Sequence, residues 1–416
     1  MKQRDSLLDR IMARIKSNPV TAVLVAAGTV VIALSTFSDA TRNLLGLLKR
    51  QSPETARREL SDLAVEYTRQ AFAHSAKQGD IRAVKLFLAA GMDPNAKDDE
   101  GNTALMNAIA QNRTEIIKAL LKAKAKVNEK NYGGATALSW AAAGGQLDTV
   151  RLLVDQGADA QTINEAFVTA AEDAHPDVMP ALLEKGAKLN ELGSKALLRA
   201  AGSTVVGAAD QDRSDTVRFL LSLGVDVNAK DEDGWTALLL AAEREDDRSS
   251  VVRTLVDRGA DVNAKCACPG YESGGWTALM LASTRGHDEI VRILVAKHAD
   301  VNMKNNLGQT ALALAAAEYE DQVDVVRTLL DAGANGDAQD IKRRTPLMEA
   351  ALQGNVDVVR TLLERGVRVD AKDFQGKTAL QLLKTYMRGT DLTGSPITPT
   401  EGMKEVVGLL SKAGSK

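Results

Sequence analysis

Residues 345–366 read TPLMEAALQGNVDVVRTLLERG, and this stretch carries the plan of most of the chain. Its opening triplet recurs as Thr-Ala-Leu at 103–105, 136–138, 236–238, 277–279, 310–312 and 378–380. Successive copies are 33 residues apart in three cases, from 103 to 136, 277 to 310 and 345 to 378. An Ala-rich turn follows each triplet. An apolar pattern comes next, as in Val150-Arg-Leu-Leu-Val154 and Val358-Val-Arg-Thr-Leu-Leu363. Each unit closes on Gly-Ala-Asp-Val-Asn-Ala-Lys, as at 259–265, or on a variant of it. A period of this length marks a stacked-repeat architecture in which one unit cannot bury its own apolar face.

Each recurring residue has a physical task. The Thr caps a first helix, and Gly before it permits a positive φ. Small residues such as Ala141 and Ala142 let two helices approach closely, while leucines such as Leu152 and Leu153 fill the seam between units. Gly157, Gly224, Gly259, Gly333 and Gly366 end second helices, where a left-handed residue is favoured. Aromatics make up only 3% of the 416 residues, so the core is built from Ala, Leu and Val. With 52 basic and 55 acidic residues the net charge is −3, which argues against a basic nucleic-acid binder.

These units resemble the ankyrin repeat family over roughly residues 69–416, with turns such as Asp231-Glu-Asp-Gly234-Trp-Thr-Ala-Leu and Asp373-Phe-Gln-Gly376-Lys-Thr-Ala-Leu. The resemblance implies an all-α solenoid of helix-turn-helix units with β-hairpin fingers. About ten units are expected, with the first and last acting as caps. At about 10 Å per helix layer the solenoid would run on the order of 100 Å. The family's His after the Thr-Pro-Leu triplet is replaced by Met106, Ser139, Leu239, Met280, Ala313, Met348 and Gln381. Residues 161–190 lack the opening triplet, and a Gly/Ala/Asp-rich insertion follows at 202–212. An irregular, weaker joint is expected there. Residues 266–273 lengthen one finger, and 388–402 form a loop within the last unit.

The N-terminal part reads differently. No charge occurs from Ser17 to Ser38. As a helix this run would reach about 33 Å, enough to cross a bilayer. The expected organisation is therefore a basic tail over 1–18, a single transmembrane helix over 19–38, a juxtamembrane helical linker over 39–68 and the repeat domain over 69–416. A cleaved signal peptide ending near Ser38-Asp39-Ala40 is the alternative. Five basic residues precede the span and five follow it closely, so the side of the membrane stays undecided. Ser52-Pro53-Glu54 opens a helix expected over 53–70.

No catalytic constellation or complete phosphate loop is present, and no cofactor, metal, nucleic acid or small-molecule substrate is expected. His74, His175, His287 and His298 are scattered, and structural roles suit them. Cys266-Ala-Cys268 offers too few thiolates for a structural zinc site and reads as an exposed loop. Lys97, Lys130, Lys230, Lys265, Lys304 and Lys372 recur at one register beside Asp or Asn, which reads as locally neutralised loops.

By the family's register, variable finger tips and first-helix ends line a concave binding face. Here these positions hold Tyr132, Glu232, Trp235, Trp276, Ile341, Lys342, Arg344, Phe374 and Gln375, with Arg244, Arg285 and Gln353 further along the first helices. Trp, Tyr and Arg are frequent binding hot spots. For Trp235 and Trp276, packing over the turn is the competing role. The expected function is that of a membrane-anchored, non-enzymatic scaffold or adaptor binding a protein partner. The alternatives are a regulatory subunit of a membrane-associated enzyme or transporter, and a structural cell-envelope spacer.

Overall fold

The computed structural model describes residues 52–205, 208–267, 274–318, 322–389 and 398–414. Helix α1 (Pro53–Asp62) leads. Paired helices follow: α2 (Arg69–Gln78) with α3 (Ile81–Ala89), α4 (Ala104–Ala110) with α5 (Thr114–Lys122), and α6 (Ala137–Ala143) with α7 (Leu147–Asp155). Next come α8 (Ala160–Glu172) with α9 (Met179–Glu184), α10 (Leu189–Gly202) with α11 (Asp210–Ser222), and α12 (Ala237–Glu243) with α13 (Ser249–Asp257). The array continues with α14 (Ala278–Thr284) and α15 (Asp288–Ala296), then α16 (Ala311–Ala316) and α17 (Val323–Asp331). It ends with α18 (Pro346–Gln353) and α19 (Val356–Glu364), then α20 (Ala379–Tyr386) and α21 (Glu401–Ala413).

The seven threonines of the recurring triplet cap their helices as their register requires. Each side chain accepts the backbone N–H three residues on, at 3.2–3.4 Å. Thr68 and Thr400 do the same for α2 and α21. First helices pack on first helices without a break from α2 to α20. One continuous apolar core runs from Ala56 to Leu410. Second helices pack in a parallel layer, but α5 meets α7, and α9 meets α11, at most sparsely. Lys124 and His298 end α5 and α15 in the left-handed conformation that glycine holds elsewhere, at a cost of about 1–2 kcal/mol each.

The frame is stitched by polar side chains that cross from one unit to the next. Asn128, Asn228 and Asn302, from the closing motif, accept the backbone N–H of Asp159, Asp261 and Asn335 at 3.1, 2.8 and 2.8 Å. Their amide groups donate to the carbonyls of Gly157, Gly259 and Gly333. The residue before a second helix reaches back instead. Gln146 Nε2 donates to Ile109 O at 2.8 Å, Gln322 Nε2 to Thr284 O at 3.2 Å, and Arg113 Nε to Lys77 O at 3.3 Å. His287 Nε2 lies 2.6 Å from Arg244 O, which gives that histidine a structural role. These bonds satisfy carbonyls at first-helix C-termini, which have no partner within their own helix.

Two expectations are corrected here. The fingers are not extended β-hairpins. Among the described residues no strand forms, and only isolated antiparallel bridges occur, at Lys97–Thr103, Lys130–Thr136 and Cys266–Trp276. The reason is local. Asp98, Asp231 and Asp373 each accept the N–H groups two and four residues on, which reverses the chain at once and leaves too few residues for a ladder. The expected transmembrane helix is likewise not found. Among the described residues no helix is long and apolar enough to cross a membrane. The longest has 14 residues, about 21 Å against a hydrocarbon core of about 30 Å. The run at 17–38, with the rest of 1–51, lies outside the described residues. The single-pass membrane assignment is therefore withdrawn.

The helix expected over 53–70 ends at Asp62, and Ala64 turns the chain at φ 56°. Helix α1 packs on α3 and buries Ala56 and Leu60 in the common core. Arg57 lies 4.5 Å over the Tyr67 ring, and Tyr67 donates to Ala90 O. The described part of the segment thus covers the first unit. The units begun by α8 and α10 have no finger before them, because the chain enters each helix directly from the preceding turn. At the insertion two buried arginines span the widened joint. Arg213 donates to Glu172 O and Val205 O at 2.9 and 2.7 Å, and Arg248 donates to Ser203 O at 3.0 Å. Burial, then the nearby Arg248 charge, lowers the Arg213 pKa.

Leu362 is fully buried in α19. Leu362→Ala is expected to lower stability by about 2–5 kcal/mol in urea unfolding. A loss within about 0.5 kcal/mol would contradict its place in the seam.

Candidate protein-interaction surface

The finger tips form two runs along one edge of the stack, separated where the units begun by α8 and α10 lack a finger. Adjacent tips are joined backbone to backbone. Tyr132 N donates to Glu100 O at 3.4 Å, Ala267 N to Asp233 O at 3.1 Å, Ile341 N to Leu307 O at 2.9 Å and Phe374 N to Lys342 O at 3.0 Å. The lysines of the ladder serve this joining. Lys97 Nζ donates to Lys130 O at 2.8 Å, Lys265 Nζ to Lys304 O at 2.9 Å and Lys304 Nζ to Gln339 O at 2.8 Å. Gln339 Nε2 continues the series to Lys372 O at 3.2 Å. Their acidic and Asn neighbours hold the turns, while these lysines bond to the next unit's backbone, and Lys97 also pairs with Glu129 at 3.2 Å. Where the next finger is missing, Lys130 turns to Glu165 of α8, 2.7 Å away.

On this frame the expected contact residues separate into three groups. Tyr132, Ile341 and Phe374 stand out from the tips, 76%, 62% and 61% exposed. Glu232, Lys342 and Gln375 are exposed beside them. Arg244, Arg285 and Arg344 are engaged in ion pairs, Arg285 with Glu243 at 2.7 Å and Glu245 at 3.6 Å, Arg244 with Asp246 at 3.6 Å, and Arg344 with Glu349 at 3.4 Å. The tryptophans lie deeper. Trp235 is half-buried against the core, and Trp276 is only 6% exposed.

Trp276 is thereby corrected from a surface contact to a core residue. Its carbonyl accepts the Cys266 N–H at 3.1 Å. Cys266 is itself buried and disulfide-bonded, which overturns the exposed-loop reading at that position. Cys268 lies outside the described residues. The Trp is adjacent in sequence to the turn glycine, so its register alone could not distinguish inward from outward packing.

Two clefts open between first helices and fingers. One, of about 570 Å³, is lined by Glu172, Lys195, Arg199, Lys230 and Glu232 among others. The other, of about 680 Å³, lies between α2 and Asp98, Asp99 and Glu100. Both mix charges of opposite sign or carry excess acid, unlike the apolar pockets that hold small molecules.

Comparison with known families agrees with this geometry. The family profile described as ankyrin repeats (3 copies) matches residues 72–164, 167–266 and 266–340, and that described as ankyrin repeats (many copies) matches 329–383. The chain belongs to the ankyrin-repeat family, a family of protein–protein interaction modules. No curated protein matches it.

Two outcomes test the sorting of residues. Trp276→Ala is expected to destabilise by about 3–5 kcal/mol, whereas Tyr132→Ala stays within about 0.5 kcal/mol in the same melts. Equal losses at both positions would contradict it. Glu349 adds a pH dependence. Burial raises its carboxyl above the ordinary value, against the opposing pull of Arg344. A group raised on folding favours the folded state at low pH, so this contribution is lost as pH rises above the ordinary carboxyl value. Glu349→Gln should flatten that part of the stability curve, and an unchanged slope would contradict it.

Proposed function

We propose that the chain is a non-enzymatic adaptor that binds a partner protein along its finger tips and the exposed sides of its first helices. Residues 69–416 are the binding module, with α1 as a lid on its first unit. The observation that carries this reading is the exposure of Tyr132, Ile341 and Phe374 in a chain with so few aromatics. The frame does not require them. Their backbones hold the turns, while their side chains remain in water at a solvation cost that a bound partner would relieve. Binding adds small contributions over successive units, with Glu232, Lys342, Arg344 and Gln375 supplying polar contacts at the rim.

The test is site-specific photocrosslinking of the intact chain in its native extract. Probes at positions 132 and 374 are compared with probes at Arg292 and Arg327 on the second-helix face, both exposed. Adducts to one protein from the tip probes alone are the expected result. Adducts equal from both faces, or from neither, would overturn the reading. Once a partner is in hand, Phe374→Ala should weaken it about thirtyfold, equivalent to about 2 kcal/mol, without moving the melting temperature.

A further inference from the structure

The fingers differ sharply in charge. The tips at Asp98-Asp99-Glu100 and Asp231-Glu232-Asp233 are acidic, while the tip at Ile341-Lys342-Arg343-Arg344 is basic, and Lys377 extends that basic character to the next finger. The two C-terminal fingers are locked together by Phe374 N to Lys342 O at 3.0 Å and by Gln339 Nε2, which donates to both Arg343 O and Lys372 O. Ile341 and Phe374 therefore sit side by side in the same register, both largely in solvent.

Arg343 adds a charge to this edge at a position that other turns give to glycine. It adopts φ +57° at the turn position where Gly101, Gly134, Gly234, Gly308 and Gly376 have φ between 74° and 82°. A left-handed non-glycine residue is strained by about 1–2 kcal/mol, a cost this chain also bears at Lys124 and His298. Asp340, Asp373 and Glu349 offset three of the four positive charges of Lys342, Arg343, Arg344 and Lys377, so the edge stays positive. Asp340 and Asp373 spend side-chain oxygens on turn amides, and Glu349 faces Arg344.

We infer that the edge formed by Ile341, Lys342, Arg343, Phe374 and Lys377 docks an acidic protein segment carrying an apolar or aromatic side chain. This rests on the interaction reading above and names the partner's chemistry. Carboxylates would meet Lys342, Arg343 and Lys377, while the apolar residue would cover Ile341 and Phe374. A long polyanion or a flat anionic membrane fits less well. The acidic tips along the same edge would repel either, and the whole chain has net charge −3.

The experiment selects a random peptide library displayed on phage against the intact chain, with counts repeated for Arg343→Gly and for a Lys342→Glu/Arg343→Glu variant. Arg343→Gly restores the residue the turn prefers, so its melting temperature should rise and lost binding cannot be laid to misfolding. The inference expects enriched peptides rich in Asp and Glu beside Leu, Phe or Trp. Their affinity should fall at least tenfold in the double variant and severalfold in Arg343→Gly. Acidic peptides insensitive to both variants would overturn it. So would enrichment of non-acidic peptides, which would leave the adaptor reading standing with a different site. Absence of any selection, with pelleting on phosphatidylserine vesicles that the double variant abolishes, would overturn it in favour of a membrane contact.

Discussion

At most junctions between units, a side chain of one unit bonds to the backbone of its neighbour. Asn302 holds the amide of Asn335 and the carbonyl of Gly333, while Gln322 covers the open C-terminus of the preceding first helix. A helix of seven residues, such as α14, cannot satisfy its own terminal carbonyls and is too short to persist alone. The bonds that complete it come from the next unit, as does most of the apolar cover. Stability is therefore a property of neighbours, and loss at one junction propagates to the adjoining unit.

The same constraint frees the finger tips. Asx turns and backbone links between tips fix each loop without calling on the side chains at its apex, so those side chains can vary without loosening the stack. That division gives the family its use as a recognition surface. In this chain it leaves Tyr132, Ile341 and Phe374 exposed while Trp276, three residues nearer the helix cap than these tip residues, joins the core. The irregular centre uses a different device. Where the unit begun by α10 carries an insertion before α11, Arg213 and Arg248 replace the shorter Gln or Asn and reach carbonyls that those could not.

Much of this frame was legible in the sequence because its signals are periodic. Thr caps, the Ala-rich turns, the leucine seam and the Asn of the closing motif recur at fixed register, and each repetition confirms the others. What escaped was singular or two-valued. Trp276 follows a turn glycine just as Trp235 does, yet one is buried and the other half-buried. The lysine register was visible, but its acceptors were not, since a backbone carbonyl 33 to 39 residues away leaves no mark in composition. The missing fingers before α8 and α10 could be suspected only from the absent triplet. Arg343 stands where the register puts glycine in the other turns, but that its backbone is left-handed all the same shows only in the structure.

The claim that neighbours, not single units, hold the structure is tested most directly by native-state hydrogen exchange on Asn302→Ala. The amide of Asn335 sits 2.8 Å from the Asn302 oxygen that this substitution removes. The account predicts faster exchange at Asn335 and into the unit that follows it, with the exposed tips unchanged. Acceleration confined to the unit that contains residue 302, with Asn335 as protected as before, would contradict it.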